Sequence, residues 1–403
     1  MPLMPVADAL ARVLEGVMPL PSALTPLSDA LGRVLTDDVA ALRTQPPADV
    51  SAMDGYAVRA ADIVRAPVTL RLIGEVAAGH PFAGSVGPGQ AARIFTGGVL
   101  PPGTDTVVIQ ELTTTDGDCV VIQAATARGK NVRAAGLDFS RGTLLLPKGR
   151  RLSGRDLALA AAMNHPALPV HRRPRVAMLA TGDELVLPGS EPGPGEIVYS
   201  NGLALTALAG SEGAEVIDLG IAPDRVAETA DSIRRARDLK ADVLVSTGGA
   251  SVGEYDVVQE ALKSVGFSLS FWRVALRPGK PMMHGVLGGM QVLGLPGNPV
   301  SAFVCAFLFL LPLLRRLAGR IDLEPAYESA LLGSDLPAND ERSDYLRAKL
   351  TGGTEEPPVA TPFPIQDSSM LAPLAGADCL IIRDPYAPAA KRGDVCRIVK
   401  LGL

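Results

Sequence analysis

The chain has 403 residues, 47% of them hydrophobic, so it is long enough to form several domains with separate cores. Its 38 basic and 43 acidic residues leave a formal charge of -5, which argues against nucleic acid or an anionic membrane as a partner. Any anion site must therefore be built locally. Four cysteines without a Cys-x-x-Cys pair argue against a zinc site and a disulfide framework, so we expect a protein of the reducing cytoplasm.

The N-terminal part of the chain changes character twice. Apolar residues recur every three or four positions over 6–17 and 27–35, which predicts two short amphipathic helices. Gln45-Pro46-Pro47 breaks this pattern, and short β-branched runs separated by Gly and Pro follow until helical spacing returns over 154–163. The predicted domains are a helical domain over 1–49 and 143–173, and a β-rich domain over 50–142 inserted into it.

After residue 174 the sequence alternates regularly between β-branched runs and helical patterns. Such alternation predicts a doubly wound, mostly parallel sheet covered on both faces, here over residues 174–320. From 321 to 403, short β runs with frequent Pro and Gly predict a small C-terminal domain resembling a β-barrel. The fold class is therefore multidomain α/β. The strands of the parallel sheet are predicted at 176–180, 216–219, 243–245, 269–274 and 292–295, and its helices at 203–211, 225–239, 257–265 and 300–311.

One apolar run, residues 300–314, raises the question of a membrane segment. It is shorter than the ~20 residues needed to cross a bilayer, and it contains Pro312. Asn298-Pro299 at its start is typical of a helix N-terminus. We therefore predict a buried helix and no membrane association.

A stretch rich in glycines and acids, Ser246 to Asp256, directly follows the predicted strand 243–245. Strand ends at the carboxyl edge of a parallel sheet are where α/β folds bind ligands. Glycines let the backbone approach an anion closely, whereas Glu254 and Asp256 add negative charge. An anionic substrate with a divalent cation would reconcile the two, although a solvated surface loop has the same composition. The glycines concerned are Gly248, Gly249 and Gly253.

Three further turns of the same domain combine Gly or Pro with polar side chains. Thr181-Gly182-Asp183-Glu184 ends the first strand, and taken alone it also fits a turn with an acidic helix cap. Arg277-Pro278-Gly279-Lys280 holds two cations on a rigid turn, as oxyanion binding requires. Pro296-Gly297-Asn298 places a helix N-terminus, with its partial positive charge, at a strand end. In the β-rich domain, Asp54 and Thr96 lie beside glycines. Taken alone, a carboxylate and a hydroxyl beside glycines are typical of ordinary turns.

Together these motifs form a specific series. The order of SAMDGYAVR, FTGG with a following Pro-Gly, TGDEL, STGGASVGEYD, RPGKP and LPGNPVSA resembles the MoeA-type molybdopterin molybdenumtransferase family, related to the C-terminal domain of gephyrin. The resemblance covers essentially the whole chain. It implies an enzyme that inserts molybdate into adenylylated molybdopterin, releases AMP and forms molybdenum cofactor. It also implies an elongated homodimer of four domains that works with other proteins of molybdenum-cofactor biosynthesis.

The resemblance also assigns roles to residues. It implies a catalytic set of Asp54, Thr96, Glu184 and Asp256, with Mg²⁺ held by Glu184 and Asp256. Asp183 and Glu254 offer further carboxylates, and the sequence does not separate proton relay from metal binding for Asp256 and Glu184. The expected substrate-binding residues, from the turns above and the family positions, are Thr181, Gly182, Asp183, Asp224, Ser246, Gly248, Gly249, Ser251, Gly253, Arg277, Lys280, Pro296, Gly297, Asn298, Asp138, Arg347 and Ser368.

Two departures from the family pattern affect these roles. Arg277 replaces the usual lysine of a KPGKP turn, so a planar fork replaces a point charge and the contact geometry changes. Gln366-Asp367-Ser368 replaces a more usual Gln-Gly-Ser, which leaves the role of Ser368 open.

Two other functions fit parts of the pattern. A molybdopterin adenylyltransferase uses a similar α/β domain, but its expected chain is that domain alone. A non-catalytic scaffold could keep the fold for protein binding, as part of gephyrin does, but the retained acids and Lys280 argue against it. The four histidines show no ligand spacing, so we predict no histidine metal site.

Overall fold

The computed structural model describes residues 3–248, 257–353 and 357–402. The chain divides into two compact units, each described here by itself. The larger unit contains Met1–Ala23, Gly32–Thr36 and Val170–Leu403, and the smaller unit contains Leu24–Leu31 and Asp37–Pro169. The finer division into four domains stays a prediction.

Eight α-helices form within the described residues: α1 (Val6–Leu14), α2 (Gly154–Ala162), α3 (Asn201–Ser211), α4 (Val226–Asp238), α5 (Val257–Ser264), α6 (Pro299–Cys305), α7 (Leu311–Leu317) and α8 (Leu371–Ala375). Three short 3₁₀ turns occur at Leu27–Asp29, Ala60–Ile63 and Gln110–Leu112. The second amphipathic helix predicted over 27–35 was wrong, because only the turn Leu27–Asp29 is helical there. Pro26 precedes this turn, and Gly32 follows it with a φ of +74°, which ends helical geometry.

Strands make up most of the remaining regular structure. In chain order they are β1 (Ser22–Pro26), β2 (Val39–Ala40), β3 (Val50–Ser51), β4 (Gly55–Val58), β5 (Val68–Val76), β6 (Gln90–Ile94), β7 (Thr106–Ile109), β8 (Thr113–Asp116), β9 (Cys119–Ile122), β10 (Val132–Arg133), β11 (Leu144–Leu146), β12 (Ala167–His171), β13 (Arg175–Thr181), β14 (Leu185–Val186), β15 (Ile197–Val198), β16 (Glu215–Ala222), β17 (Val243–Thr247), β18 (Ser268–Trp272), β19 (Leu276–Arg277), β20 (Met283–Leu287), β21 (Met290–Leu295), β22 (Tyr327–Leu332), β23 (Ser343–Thr351), β24 (Val359–Pro362), β25 (Cys379–Arg383) and β26 (Val395–Lys400).

The centre of the larger unit is a six-stranded sheet in the order β16-β13-β17-β21-β20-β18. The first four strands pair in parallel, and β20 runs against both of its neighbours. Residues alternate between the two faces of each strand, so Val243 and Val245 join one core with α3 and α6, while Leu244 joins the other with α4 and α5. The predicted doubly wound sheet is confirmed, although β20 escaped prediction.

The helix after β21 is continuous from Pro299 to Leu317, with a π-helical turn at Ala306–Leu310 between α6 and α7. Within the described residues it alone is long and apolar enough to cross a membrane, with a mean hydropathy of 1.9. However, 83% of its most apolar window is buried inside the protein. It is therefore the predicted core helix, and its apolar composition follows from its burial on all sides.

The C-terminal strands form a closed barrel. Their order is β23-β24-β22-β26-β25, and β25 pairs again with β23, which closes the barrel with five strands. The short strand β19 adds to it in parallel, with Leu276 opposite Ser343 and Arg277 opposite Asp344. The turn that carries Lys280 is therefore attached to the barrel through main-chain pairing.

The smaller unit is built on a six-stranded sheet in the order β7-β4-β6-β5-β9-β8. Strand β4 lies between β6 and β7 and is buried along its whole length. Helix α2 is capped by Ser153, whose side chain forms a capping box with Asp156.

All four cysteines are free thiols. Cys305, Cys379 and Cys396 are buried, whereas Cys119 on β9 of the smaller unit is partly exposed. Burial raises the pKa of Cys305, and it raises the pKa of Cys379 to about 12.

Candidate active site

Two adjoining cavities of the larger unit lie where β13, β17 and β21 end. Because these strands are parallel, their last residues meet at one edge of the sheet. The cavities measure about 490 and 570 Å³, which is the size of a site for a small molecule. Glu184, Gly248, Gly297 and Asn298 line both of them, so we call the two together the cleft.

Two glycines allow the turns at this edge to approach each other. Gly248 has a φ of +91°, and a Cβ there would lie 2.4 Å from the carbonyl oxygen of Thr181. At Gly182 a Cβ would lie 2.4 Å from a carboxylate oxygen of Glu184. A side chain at Gly248 would push the two turns apart, so this glycine is required by the geometry of the cleft, whereas at Gly182, with a φ of +150°, the exposed Glu184 side chain could move aside.

Buried hydroxyl groups lie beneath the cleft at the ends of β13 and β17. Thr181 and Ser246 are only 3% and 1% exposed, and neither hydroxyl has a hydrogen-bond partner among the described residues. Thr181 lines the smaller cavity. An unpaired buried hydroxyl costs about 1–3 kcal/mol, so the Thr181 hydroxyl, at the wall of the smaller cavity, can donate to a ligand at little further cost.

Lys280 and Arg277, the two cations of the RPGKP turn, differ in their hydrogen-bond and ion-pair partners. The Lys280 side chain is exposed on the larger cavity, and its ammonium makes no hydrogen bond or ion pair with any described residue. Arg277 is occupied by the protein itself. Its Nε donates to Asp344 Oδ1 at 2.6 Å, its second terminal nitrogen bonds to Asp344 Oδ2, and its first reaches Asp340 at 3.1 Å. These bonds raise the pKa of Arg277, with Asp344 as the main cause.

The start of α6 forms another wall of the cleft. Asn298 Nδ2 donates to Ser368 Oγ at 2.8 Å, and the Val300 amide donates to the Ser368 carbonyl at 3.0 Å. Asn201 Nδ2 donates to the Gly297 carbonyl at 2.7 Å and fixes the turn from the other side. Pro296 and Ser368 line the larger cavity as well. The structure thus brings Ser368 to the cleft, beside the helix N-terminus.

Arg347 lies beneath this wall and is only 1% exposed. Its guanidinium donates to Gln366 Oε1 at 3.2 Å and to the Met370 carbonyl at 2.9 Å. Gln366 in turn donates to the Arg347 carbonyl at 3.0 Å. Burial lowers the pKa of Arg347. These hydrogen bonds therefore hold the loop that carries Ser368.

The acidic residues divide between the cleft and its surroundings. Glu184 is exposed and lines both cavities. Asp183 accepts the Asp224 amide at 3.3 Å, and both belong to turns next to the cleft. No group of three His, Cys, Asp or Glu side chains that could hold a metal ion occurs within residues 3–248, 257–353 and 357–402. The predicted residues Gly249, Ser251, Gly253 and Asp256, with Glu254, lie outside the described residues.

In the smaller unit the structure brings Asp54 and Thr96 together. Asp54 Oδ1 accepts both the amide and the hydroxyl of Thr96, each at 2.8 Å. These bonds lower the pKa of Asp54, and the charge of Arg93 adds to the effect. Arg93, which sequence reasoning missed, lies over the rings of Tyr56 and Phe95 at 5.0 and 4.9 Å. Tyr56 and Phe95 belong to the two motifs that contain Asp54 and Thr96. These aromatic residues were the sequence feature that could have indicated a cation packed against them.

The last predicted residue of this unit, Asp138, is exposed. Its amide donates to the Gln45 carbonyl at 3.0 Å. Sequence reasoning also missed the partners of Arg277 in the larger unit, because 67 residues separate it from Asp344.

Comparison with known proteins agrees with this architecture along the chain. Three family models match in succession: the MoeA N-terminal region (domain I and II) at residues 4–164, a "probable molybdopterin binding domain" at 177–316, and the MoeA C-terminal region (domain IV) at 329–401. The second of these contains the sheet and most of the cleft, so the class of protein is defined by a molybdopterin-binding type of α/β domain.

Relatives extend the match to the whole chain. It is 32% identical over 394 residues to a molybdopterin molybdenumtransferase of Haemophilus influenzae, covering 97% of each chain. It is 39% identical over 329 residues to one from Nostoc sp., covering 80% of this chain and 75% of the relative. A solved molybdopterin biosynthesis MoeA protein from Pyrococcus horikoshii is 31% identical and superposes with a TM-score of 0.86 over 100% of both chains. The chain belongs to the MoeA family.

Proposed function

We propose that this protein is a molybdopterin molybdenumtransferase, which inserts molybdate into adenylylated molybdopterin and releases AMP. The observation that carries the proposal is the cleft, in which Lys280, whose ammonium has no partner among the described residues, lines one cavity together with Glu184 and Gly248. The relatives of that name match the chain over nearly its full length, including the regions outside the α/β sheet. An adenylyltransferase built as an α/β domain alone does not account for those regions.

The cleft suits a polyanionic substrate. Molybdate is a dianion and an adenylylated pterin carries a pyrophosphate, so binding must neutralise several negative charges. Lys280 supplies a full positive charge, and the start of the helix at Pro299 supplies a partial one. Thr181 offers a hydroxyl that no described protein group occupies. These donors would orient phosphate or molybdate oxygens at the sheet edge.

The described residues of the cleft supply part of the ligand set that Mg²⁺ would need. Mg²⁺ is usually held by one or two carboxylates together with substrate phosphates and water, and Glu184 provides one carboxylate in both cavities. Asp256 remains a second candidate from the sequence. Bound there, the ion would neutralise phosphate charge during cleavage of the pyrophosphate link.

Proton transfer is the other requirement of the reaction. When molybdate binds a dithiol through both sulfurs, one of its oxygens leaves as water, which takes up the two thiol protons. Cleavage of the phosphoanhydride by water yields AMP and the pterin phosphate. An exposed carboxylate such as Glu184 can accept a thiol proton and pass it to the departing oxygen. In Glu184→Gln we expect the loss of most turnover with the fold unchanged.

The assay uses the whole protein with adenylylated molybdopterin, molybdate and Mg²⁺, and it measures AMP and molybdenum cofactor. We expect release of AMP that requires molybdate and is reduced by chelation of Mg²⁺. A matched control is Glu196→Gln, which removes an exposed acid outside the cleft and should leave turnover unchanged. Consumption of ATP with free pterin would indicate an adenylyltransferase instead, and no turnover at all would indicate a scaffold.

We further propose a cytoplasmic homodimer that receives its pterin from other proteins of molybdenum-cofactor biosynthesis. Mass in solution tests the dimer. If the active site takes residues from two chains, mixing the inactive variants Asp54→Ala and Lys280→Ala should restore about a quarter to a half of the activity. A monomer that is active at nanomolar concentration would count against a shared site.

A further inference from the structure

We propose that Arg277 is a positioning residue, which fixes the turn of Lys280 to the C-terminal barrel and is not itself an anion ligand. The measurement of turnover described below depends on the function proposed above. The fold gives the two cations of this one turn different partners.

The side chain of Arg277 is 42% exposed and lines the larger cavity, yet each of its guanidinium nitrogens has a partner within the protein. Besides its two bonds to Asp344, it donates to Asp340 at 3.1 Å and to Asn339 Oδ1 at 2.9 Å. Asp344 is only 6% exposed. A planar fork that binds a buried carboxylate through two nitrogens is among the strongest ion pairs that side chains form. Lysine, with a single nitrogen, could not make all these contacts.

The charges of this network cancel. Arg342, which also lines the larger cavity, donates to Asp340 at 2.7 Å. Arg277 and Arg342 thus face Asp340 and Asp344, which gives two positive and two negative charges. Arg342 and Arg277 lower the pKa of Asp340 to about 2, so this carboxylate stays ionised near neutral pH. Within the described part of the cleft, Lys280 is the cation whose charge remains available.

The turn is held from two directions. On one side, β19 pairs with β23, and the ion pair lies at that junction because Arg277 is opposite Asp344. On the other side, Gly279 rests on the core helix, where a Cβ would lie 2.5 Å from Cys305 Sγ. Between them, the amides of Val274 and Met282 both donate to the Lys280 carbonyl at 3.0 Å. Loss of the ion pair would release one of these two supports.

A ligand and a positioning residue give opposite results when Asp344 is neutralised. Asp344→Asn keeps the side-chain shape but removes the buried charge that binds the guanidinium, leaving its bonds to Asp340 and Asn339. If Arg277 were an anion ligand, this variant would bind molybdate as well as the wild type or better. If Arg277 positions the turn, Asp344→Asn and Arg277→Gln should each raise the KM for molybdate about tenfold. The double variant should be no worse than either single variant, because both remove the same contact.

Two further variants complete the set. Arg277→Lys keeps the charge but not the fork, so it should resemble Arg277→Gln if positioning matters. Asp335→Asn breaks an exposed ion pair with Lys391 in the same barrel and should leave the KM for molybdate unchanged. A normal KM in Asp344→Asn, or full activity in Arg277→Lys, would overturn the inference.

Hydrogen exchange separates this inference from the proposed function. The amides of Val274 and Met282 should exchange at least tenfold faster in Asp344→Asn and Arg277→Gln than in the wild type, with no substrate present. This readout holds even if the wild type releases no AMP, in which case the proposed function fails alone. Unchanged exchange at both amides would refute the positioning role whatever the activity.

Discussion

The two sides of the cleft differ in whether their polar groups have hydrogen-bond partners within the described protein. At the sheet edge, Thr181 and Ser246 carry buried hydroxyls without partners among the described residues. On the barrel side, Arg277 and Arg347 direct their guanidinium groups at acceptors within the protein. The difference indicates a division of labour, in which unpaired groups are kept for the ligand and paired groups hold the shape of the cleft. Variants on each side should therefore fail in different ways.

The largest effect is expected for the buried Arg347. Arg347→Met removes the guanidinium that donates to Gln366 Oε1 and to the Met370 carbonyl, so the Met370 carbonyl loses its donor while Gln366 Oε1 keeps only the Arg347 amide at 3.0 Å. We expect the free energy of unfolding to fall by about 3–5 kcal/mol, measured by urea denaturation. Arg397→Met, at a half-exposed ion pair of the same barrel, should cost less than about 1 kcal/mol. Similar losses in the two variants would contradict a supporting role for Arg347.

Lys280 should show the reverse pattern. Lys280→Ala removes a cation of the cleft that has no partner among the described residues, and we expect kcat/KM for molybdate-dependent AMP release to fall about 100-fold, or about 2–3 kcal/mol. The melting temperature should stay within about 2 °C of the wild type, because the ammonium makes no hydrogen bond or ion pair with a described residue. Lys263→Ala, on the exposed face of α5, provides the charge-matched control and should be fully active. A stable Lys280→Ala protein with normal kinetics would remove this residue from the binding site.

The buried hydroxyls allow a finer comparison. Thr181→Val and Ser246→Ala each delete a polar atom that has no partner among the described residues, so stability should stay equal or rise slightly, while substrate affinity falls about five- to tenfold. Thr229 provides the matched control, because its hydroxyl is also buried and unpaired but lies on α4. Thr229→Val should share the effect on stability and leave affinity unchanged. Isothermal titration with pyrophosphate and denaturant unfolding would measure the two quantities.

The smallest effect concerns His284 on β20, which belongs to neither side of the cleft. Burial lowers the pKa of His284 below its usual 6.5, although a hydrogen bond with Gln291 at 3.0 Å opposes the shift. As pH falls through 6.5, the unfolded chain takes up a proton before the folded one, so the folded state loses stability by at most about 1.4 kcal/mol per pH unit. His284→Gln should lack this component between pH 7 and 5. An unchanged pH dependence in the variant would show that the imidazole does not titrate as proposed.

The sequence predicts the sheet edge better than the barrel side, for a physical reason. Parallel strands in βαβ units must end at the same edge, so glycines and polar residues after successive apolar runs are predicted to meet, as Thr181, Gly248 and Gly297 do. The pairing of Asp54 with Thr96 follows from two motifs of one small domain.

The partners of Arg277 could not be predicted from sequence spacing. They depend on how the barrel closes and on the parallel pairing of β19 with β23, which no local pattern specifies. The contact between Arg347 and the loop at Gln366 also joins distant parts of the chain, so no local sequence pattern predicts it. Strand β20 was missed because its apolar run lacks the alternation of a half-buried strand. The helix over 27–35 was predicted from its apolar spacing, but Pro26 and Gly32 prevent a helix there.

The distribution of the cysteines gives the native chain a built-in reporter. With three thiols buried and Cys119 partly exposed, a maleimide dye should react first at one position in the smaller unit. Labelling of Cys305, Cys379 and Cys396 would then require opening of the larger unit, so every dye beyond the first reports opening of that unit. No cysteine has to be engineered or removed, and mass spectrometry after timed exposure to the dye would read the opening rates directly.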